Sequence, residues 1–283
     1  MSDWSDLVES AAPALSRRHE AGAPSARGML LTLLGEFVLP GDGMAWTSAV
    51  LATFERLGVA EKATRQALMR TSNAGLLRPD KIGRRTRWQL TPAARNLLTD
   101  GAERIYSFGP ATDWDGQWVL VAARIPETDR HARHVVRTRL AWAGFGSLGP
   151  GLWLSPHTAR EREATRVLRE AGAGDDANVF VARRTGLSDT REMVAEAWDL
   201  PAIEAEYEQF ITEFGGKAPA DVLARQLELV HAWRRFPSLD PSLPRELLPA
   251  RWSGIKAAEL FADRHGQWQA DSRREWKRLN SQP

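Results

Sequence analysis

A chain of 283 residues with 43% hydrophobic and 26% charged content has the composition of a soluble globular protein with two or three domains. It has no cysteine, which excludes disulfides, thiolate nucleophiles and cysteine zinc sites. No apolar run approaches the ~20 residues that cross a bilayer, and the start, with Asp3, Asp6 and Glu9, lacks a signal-peptide layout; a cytoplasmic protein is expected. The formal net charge is only +2, from 38 Lys and Arg against 36 Asp and Glu. That charge is unevenly spread. From Val59 to Arg95 the basic residues Lys62, Arg65, Arg70, Arg78, Lys81, Arg84, Arg85, Arg87 and Arg95 face only Glu61 and Asp80, so the rest of the chain is net negative. A basic cluster on an otherwise acidic molecule is the electrostatic footprint expected for phosphates.

In chain order, residues 1–24 are rich in Ala, Ser and Pro and read as a flexible N-terminal arm. A DNA-binding domain is expected over 25–110. Its first helix starts near Ser25, is almost wholly apolar and should be buried. After the turn Pro40–Gly43, Thr47 or Ser48 can cap a second helix that Gly58 closes. The next helix turns Thr64, Leu68 and Thr71 inward and Lys62, Arg65, Gln66, Met69 and Asn73 outward. Gly75 suits its left-handed end. Leu76–Leu77 and Trp88–Leu90 then bracket a turn at Gly83, giving a hairpin laden with Lys81, Arg84, Arg85 and Arg87. Basic helix followed by basic hairpin is the layout of a winged helix-turn-helix, whose helix enters the major groove while the wing lies along phosphates. The DNA-binding residues expected are Lys62, Arg65, Gln66, Arg70, Lys81, Arg84, Arg85 and Arg87, and the partner is double-stranded DNA. Thr91-Pro92 starts a closing helix to about Ile105.

Over 111–186 the order strand (Trp118–Ile125), helix (Asp129–Ala143), glycine-rich strand pair or bent strand (Gly144–Pro156), helix (Thr158–Gly172), strand (Asn178–Arg183) fits a ferredoxin-like sheet with helices on one face. The edge or open face of such a sheet is a common meeting place for two subunits. From 187 to 283 the pattern is helical, with a proline-rich connector at Pro237–Pro249 and a polar stretch from Asp271 that either trails off or extends as a solvated helix. The fold class is α+β throughout.

Three successive stretches carry a resemblance. Ala63-Thr-Arg-Gln-Ala-Leu-Met-Arg with Gly75-Leu-Leu and Gly83-Arg-Arg-Thr-Arg-Trp-Gln-Leu-Thr comes first. Trp114-Asp-Gly-Gln-Trp118, Ile125-Pro-Glu127, Gly144-Phe-Gly146 and Gly151-Leu-Trp-Leu-Ser-Pro156 follow, and then Trp198-Asp-Leu200, Tyr207 with Phe210, and Trp233-Arg-Arg-Phe-Pro-Ser-Leu-Asp-Pro-Ser-Leu-Pro-Arg-Glu-Leu-Leu-Pro249. From about Arg27 to His265 the chain resembles the PaaX family of bacterial transcriptional repressors. Ser253 departs from it, standing where the family often has proline. The resemblance implies a homodimer on a pseudo-palindromic operator, a middle domain similar to Cas2-type proteins, and repression of a catabolic operon relieved by an acyl-CoA effector, phenylacetyl-CoA or a related aromatic acyl-CoA.

Such an effector needs guanidinium for its phosphates and an aromatic-lined cleft for its acyl group. The candidates are Arg124, Trp142, Trp153, Trp233, Arg234 and Arg235. The competing class is an enzyme, a metal-dependent nuclease or an acyl-CoA-processing protein built on the ferredoxin-like unit. His131 and His134 at i, i+3, Glu127 with Asp129, and Asp175-Asp176 lack the further ligands or partners such chemistry needs. No catalytic residue, metal site or cofactor is assigned, and the glycines of Gly144–Gly151 lack the Lys-Ser/Thr of a phosphate loop.

Overall fold

A computed structural model describes residues 25–109, 113–186, 189–216 and 219–281; the arm expected over 1–24 lies outside them. The described chain folds as two compact units. The first comprises residues 25–108, the end of the chain from 259, and the segment Thr212–Arg235 between them; the second comprises Gly109–Ile211 and Phe236–Ala258. The helices after residue 187 are thus shared between the units, because the chain crosses from one to the other three times beyond Ile211.

The first unit begins with α1 (Ala26–Leu33), capped by the Ser25 hydroxyl, which accepts from the Gly28 N–H at 3.1 Å. The helix continues as one π-helical turn, Leu34–Val38, in which the Leu39 N–H reaches back five residues to the Leu34 carbonyl. The apolar run predicted a buried helix, and Leu30, Leu33 and Leu34 are wholly excluded from solvent. There follow β1 (Met44–Trp46), α2 (Thr47–Arg56), α3 (Glu61–Asn73), β2 (Leu77–Ile82), β3 (Arg85–Leu90) and α4 (Pro92–Tyr106). The three strands form an antiparallel sheet in the order β1-β3-β2. Neither Thr47 nor Ser48 caps α2; the cap position is Trp46, with no side-chain bond. Thr47 donates instead to the Thr86 carbonyl at 2.9 Å and accepts from the Trp88 indole N–H at 2.9 Å, tying the start of α2 to β3. Turned toward β3 by these two bonds, Thr47 enters the helix as its first residue, and its hydroxyl points away from the N–H groups a cap would accept from.

In the second unit, β4 (Gln117–Ala123), α5 (Arg130–Trp142), β5 (Gly146–Ser147), β6 (Leu152–Ser155), α6 (Glu161–Glu170) and β7 (Ala177–Arg183) build an antiparallel sheet in the order β5-β6-β4-β7. That β-α-β-β-α-β connectivity and strand order are ferredoxin-like. Val119, Val121 and Trp153 face α5 and α6 in one core with Val136, Leu140, Val167 and Leu168. Then come α7 (Thr190–Ala197), α8 (Leu200–Phe214), α9 (Val222–Trp233), the single turn α10 (Phe236–Leu239) and α11 (Ser253–Asn280). The proline-rich connector is pinned within the unit: His157 donates from Nε2 to the Ser242 carbonyl at 2.8 Å and Arg160 to the Pro241 carbonyl at 3.2 Å. Tyr207 stacks on Phe236 at 4.2 Å and donates to Asp240 at 2.6 Å, so the motif aromatics form this unit's second core.

The polar end of the chain extends as a helix whose charged face is solvated, as one of the two expectations had it, but whose other face is buried. α11 runs unbroken to Asn280, and its stripe Trp268, Ser272 and Trp276, four residues apart, is buried. Trp276 joins the α1–α3 core, 6.0 Å from the Phe37 ring. Two apolar rings and a serine among mostly charged and polar neighbours were too sparse a stripe to stand out as an apolar face.

Candidate nucleic-acid interface

The basic surface is made by α3 and the β2–β3 hairpin. On α3 the inward side chains are Thr64, Ala67, Leu68 and Thr71. Both threonine hydroxyls turn back on the helix, Thr64 to the Ala60 carbonyl at 3.3 Å and Thr71 to that of Ala67 at 2.8 Å, so no polar group is stranded in the core. Lys62, Arg65, Gln66, Met69, Arg70 and Asn73 are exposed on the outer side. Arg65 is held along the helix by Glu61, Nε to Oε1 at 2.7 Å. Gly75 ends the helix at φ 74°, and the Leu76 N–H closes onto the Thr71 carbonyl at 3.1 Å. The hairpin pairs Leu77 with Leu90 through to Ile82 with Arg85, and Gly83, at φ 61°, makes its turn. Lys81, Arg84 and Arg85 project into solvent at its tip.

Arg87 differs from them. It faces Asp80 across the ladder at 2.7 Å and lies over the Trp46 ring at 5.7 Å, so its charge is partly engaged in holding the sheet together. Arg78 donates to Gln89 on the same hairpin.

The C-terminal segments brace this surface from behind. Asn280 caps the outer edge of β1 with its amide: Oδ1 accepts from the Trp46 N–H at 2.8 Å and Nδ2 donates to the Met44 carbonyl at 3.0 Å. One side chain thereby occupies the two backbone groups a neighbouring strand would have taken. Arg56, at the end of α2, bridges Asp221 at 3.4 Å and Glu275 at 2.7 Å. Arg278 and Arg56 together hold the Glu275 carboxyl at about 2.

Sequence reasoning passed over a buried polar cluster. Glu36, 4% exposed within the π turn, accepts from Nε2 of His265 at 2.9 Å, from the Gln226 amide at 3.0 Å and from the Tyr106 hydroxyl. Burial pushes this carboxyl up, but the hydrogen bond and charge of His265, with Tyr106 and Gln226, leave it below the ordinary range. Burial and the adjacent carboxylate raise the Tyr106 phenol. The sequence signal was a single carboxylate in an otherwise apolar helix.

The six residues considered for an effector are divided between the units. Arg124 is exposed after β4, Trp142 is half-buried at the end of α5, and Trp153 is buried in the sheet core. In the first unit Trp233 is 1% exposed, donates to the Ile105 carbonyl at 3.2 Å and stacks on Phe261 at 4.7 Å. Arg234 donates to the Gly28 carbonyl at 2.8 Å and to Thr32 at 3.2 Å, and burial lowers its pKa and that of Arg235. Asp129 caps α5, its carboxylate accepting from the Ala132 N–H at 2.9 Å, and the backbone carbonyl of Asp176 accepts from the Arg124 N–H at 2.9 Å. Among the described residues no three His, Asp or Glu side chains are grouped as metal ligands, and no helix is long and apolar enough to cross a membrane.

Beside Arg234, His231 sits 3.0 Å from the Thr32 hydroxyl, and burial, with the Arg234 charge, lowers its pKa from 6.5 to about 4. A depressed folded-state pKa stabilises the fold above the unfolded value and is lost as pH falls through the folded one. Acidification from pH 6.5 to 4 is therefore expected to remove up to about 3 kcal/mol through this residue. Urea unfolding of wild type and His231→Gln across that window checks it, the variant losing less stability on acidification.

Three family profiles match in order. Residues 25–94 match "PaaX-like protein", 111–194 "PaaX protein central Cas2-like domain", and 198–278 "PaaX-like protein C-terminal domain". The chain is 34% identical over 251 residues to the transcriptional repressor PaaX of Escherichia coli K12, covering 83% of this chain and 78% of that one. The chain belongs to the PaaX family. In fold, this PaaX-family chain is also similar to an uncharacterised protein from Mycobacterium tuberculosis, with a TM-score of 0.64 at 22% identity, covering 89% of this chain and 99% of that one. The central Cas2-like match coincides with the ferredoxin-like sheet.

Proposed function

We propose that this PaaX-family protein is a cytoplasmic DNA-binding transcriptional repressor whose first unit is a winged helix-turn-helix. The observation that carries the reading is the exposure of Lys62, Arg65, Gln66 and Arg70 on α3 beside Lys81, Arg84 and Arg85 on the adjoining hairpin, in one compact unit. In this reading α3 is the recognition helix and the hairpin is the wing. Arg65, aligned by Glu61, reads base edges, while Arg84 and Arg85 bind phosphates and Arg87 stiffens the wing. A homodimer would set two recognition helices roughly 34 Å apart, matching a pseudo-palindromic operator. The relative from Escherichia coli, named a transcriptional repressor, supports the same role.

Release by an acyl-CoA thioester completes the proposal. It rests on family kinship and on the side chains that still face outward, Arg124 and the half-buried Trp142 above all. An effector that favours a conformation unsuited to the operator lowers DNA affinity by the same factor by which DNA lowers effector affinity.

The test is binding of wild type, Arg84→Ala, Arg85→Ala and Arg65→Ala to random-sequence duplex and to duplex selected by the wild type, across a salt series. Each wing variant is expected to weaken binding to both DNAs and to reduce the logarithmic salt slope by about one unit. Arg65→Ala is expected to narrow the gap between selected and random duplex. Wing variants that match the wild type at every salt concentration would show the wing assignment to be wrong.

A further inference from the structure

Met69 is the outlier on the outer face of α3. Its neighbours there, Lys62, Arg65, Gln66, Arg70 and Asn73, are all polar or charged, yet Met69 is 53% exposed. It lies three residues after Gln66, four after Arg65 and four before Asn73, so these side chains surround it on the helix surface. An exposed methionine contributes little to folding, and the core beneath is already filled by Ala67, Leu68, Thr64 and Thr71. Nothing in the unit's own packing explains an apolar side chain at the centre of this face.

Resting on the DNA-binding reading, we propose that Met69 is a specificity-determining residue that packs against the C5-methyl group of a thymine in the major groove. The methyl group is the one apolar feature that base edges present there. Glutamine and asparagine pair with adenine through N6 and N7, and each such adenine brings a thymine methyl onto the same groove edge. Gln66 and Asn73 flank Met69 on either side, so an A·T pair read by either one offers its methyl to the methionine between them. Met69 is unbranched and adjusts its three torsions to the methyl position without displacing the helix. Its partner is therefore a base.

The experiment removes the methyl and the methionine separately and together. A duplex selected by the wild type from a random-sequence pool is remade with each thymine in turn replaced by deoxyuridine, which differs only by that methyl. Wild type and Met69→Ala are titrated against every duplex at one salt concentration. At one or two positions the wild type is expected to bind the deoxyuridine duplex roughly three- to five-fold more weakly, the effect of about one buried methyl. Met69→Ala should bind the thymine duplex more weakly by a similar factor and lose nothing further at those positions. If no position shows a loss in the wild type, or if the loss persists undiminished in Met69→Ala, the inference is overturned while the DNA-binding reading stands. Failure of the wild type to bind any duplex at low salt would overturn both.

Discussion

Replacing Glu36 with alanine is expected to destabilise the first unit by about 3–5 kcal/mol, at roughly 1–3 kcal/mol for each buried polar group left without its partner. Three donors converge on this carboxylate: Nε2 of His265, the Gln226 amide and the Tyr106 hydroxyl. Alanine leaves all three without an acceptor inside a packed core, each keeping its desolvation cost and losing its bond. Glu36→Gln should fall between, because the amide keeps the volume but turns one acceptor into a donor facing other donors. The carboxyl also carries a pH signature. Its folded-state pKa lies below the ordinary value of 4.5, so it stabilises the fold above that value, and the contribution fades as pH falls through the lower folded one. Urea unfolding at neutral pH and again near pH 4 measures both effects. A loss below about 1 kcal/mol at neutral pH, the scale of a single ordinary hydrogen bond, would mean that the cluster is not the joint described.

Truncating Trp276 to alanine is expected to cost about 3–5 kcal/mol, the range for deleting a buried indole without full collapse of the cavity. The residue is 4% exposed and shares a core with Leu30, Leu33, Leu34 and Phe37 although about 240 positions separate it from them. The loss is expected to appear as a lower midpoint with the slope little changed. Asn280, one turn further along, closes the free edge of β1, so the same helix both fills the core and seals the sheet. A variant as stable as the wild type would mean that α11 lies on the unit without supporting it.

The two substitutions probe what was least legible in the sequence. Periodicity found α3, with Thr64, Leu68 and Thr71 inward, because local spacing alone decides which way a helical side chain points. Turn chemistry found Gly75 and Gly83, since both need backbone angles that favour glycine. The middle unit was equally readable, its strands and helices falling in a recognisable order. Thr47 was misread as a cap because its two partners, Thr86 and Trp88, lie about forty residues away. The strand β1 was missed altogether, for three residues carry too little pattern to register without the partner strand that defines them.

For the candidate interface, charge and spacing located Lys62, Arg65, Gln66, Arg70, Lys81, Arg84 and Arg85, all of them solvent-facing. They did not separate Arg87, whose pairing with Asp80 depends on strand register. Nor did they show that Trp233 and Arg234 are taken up by packing against Phe261 and bonding to α1. The sequence by itself determined the longer helices and strands, the family and the position of the basic surface, because these rest on short-range spacing, turn stereochemistry and local charge. Only the tertiary structure decided that the end of the chain returns to the first unit, that Glu36 joins four separate segments, and which arginines are exposed and which are buried. Those outcomes depend on contacts between residues far apart in the chain, and such contacts exist only once burial has brought the segments together.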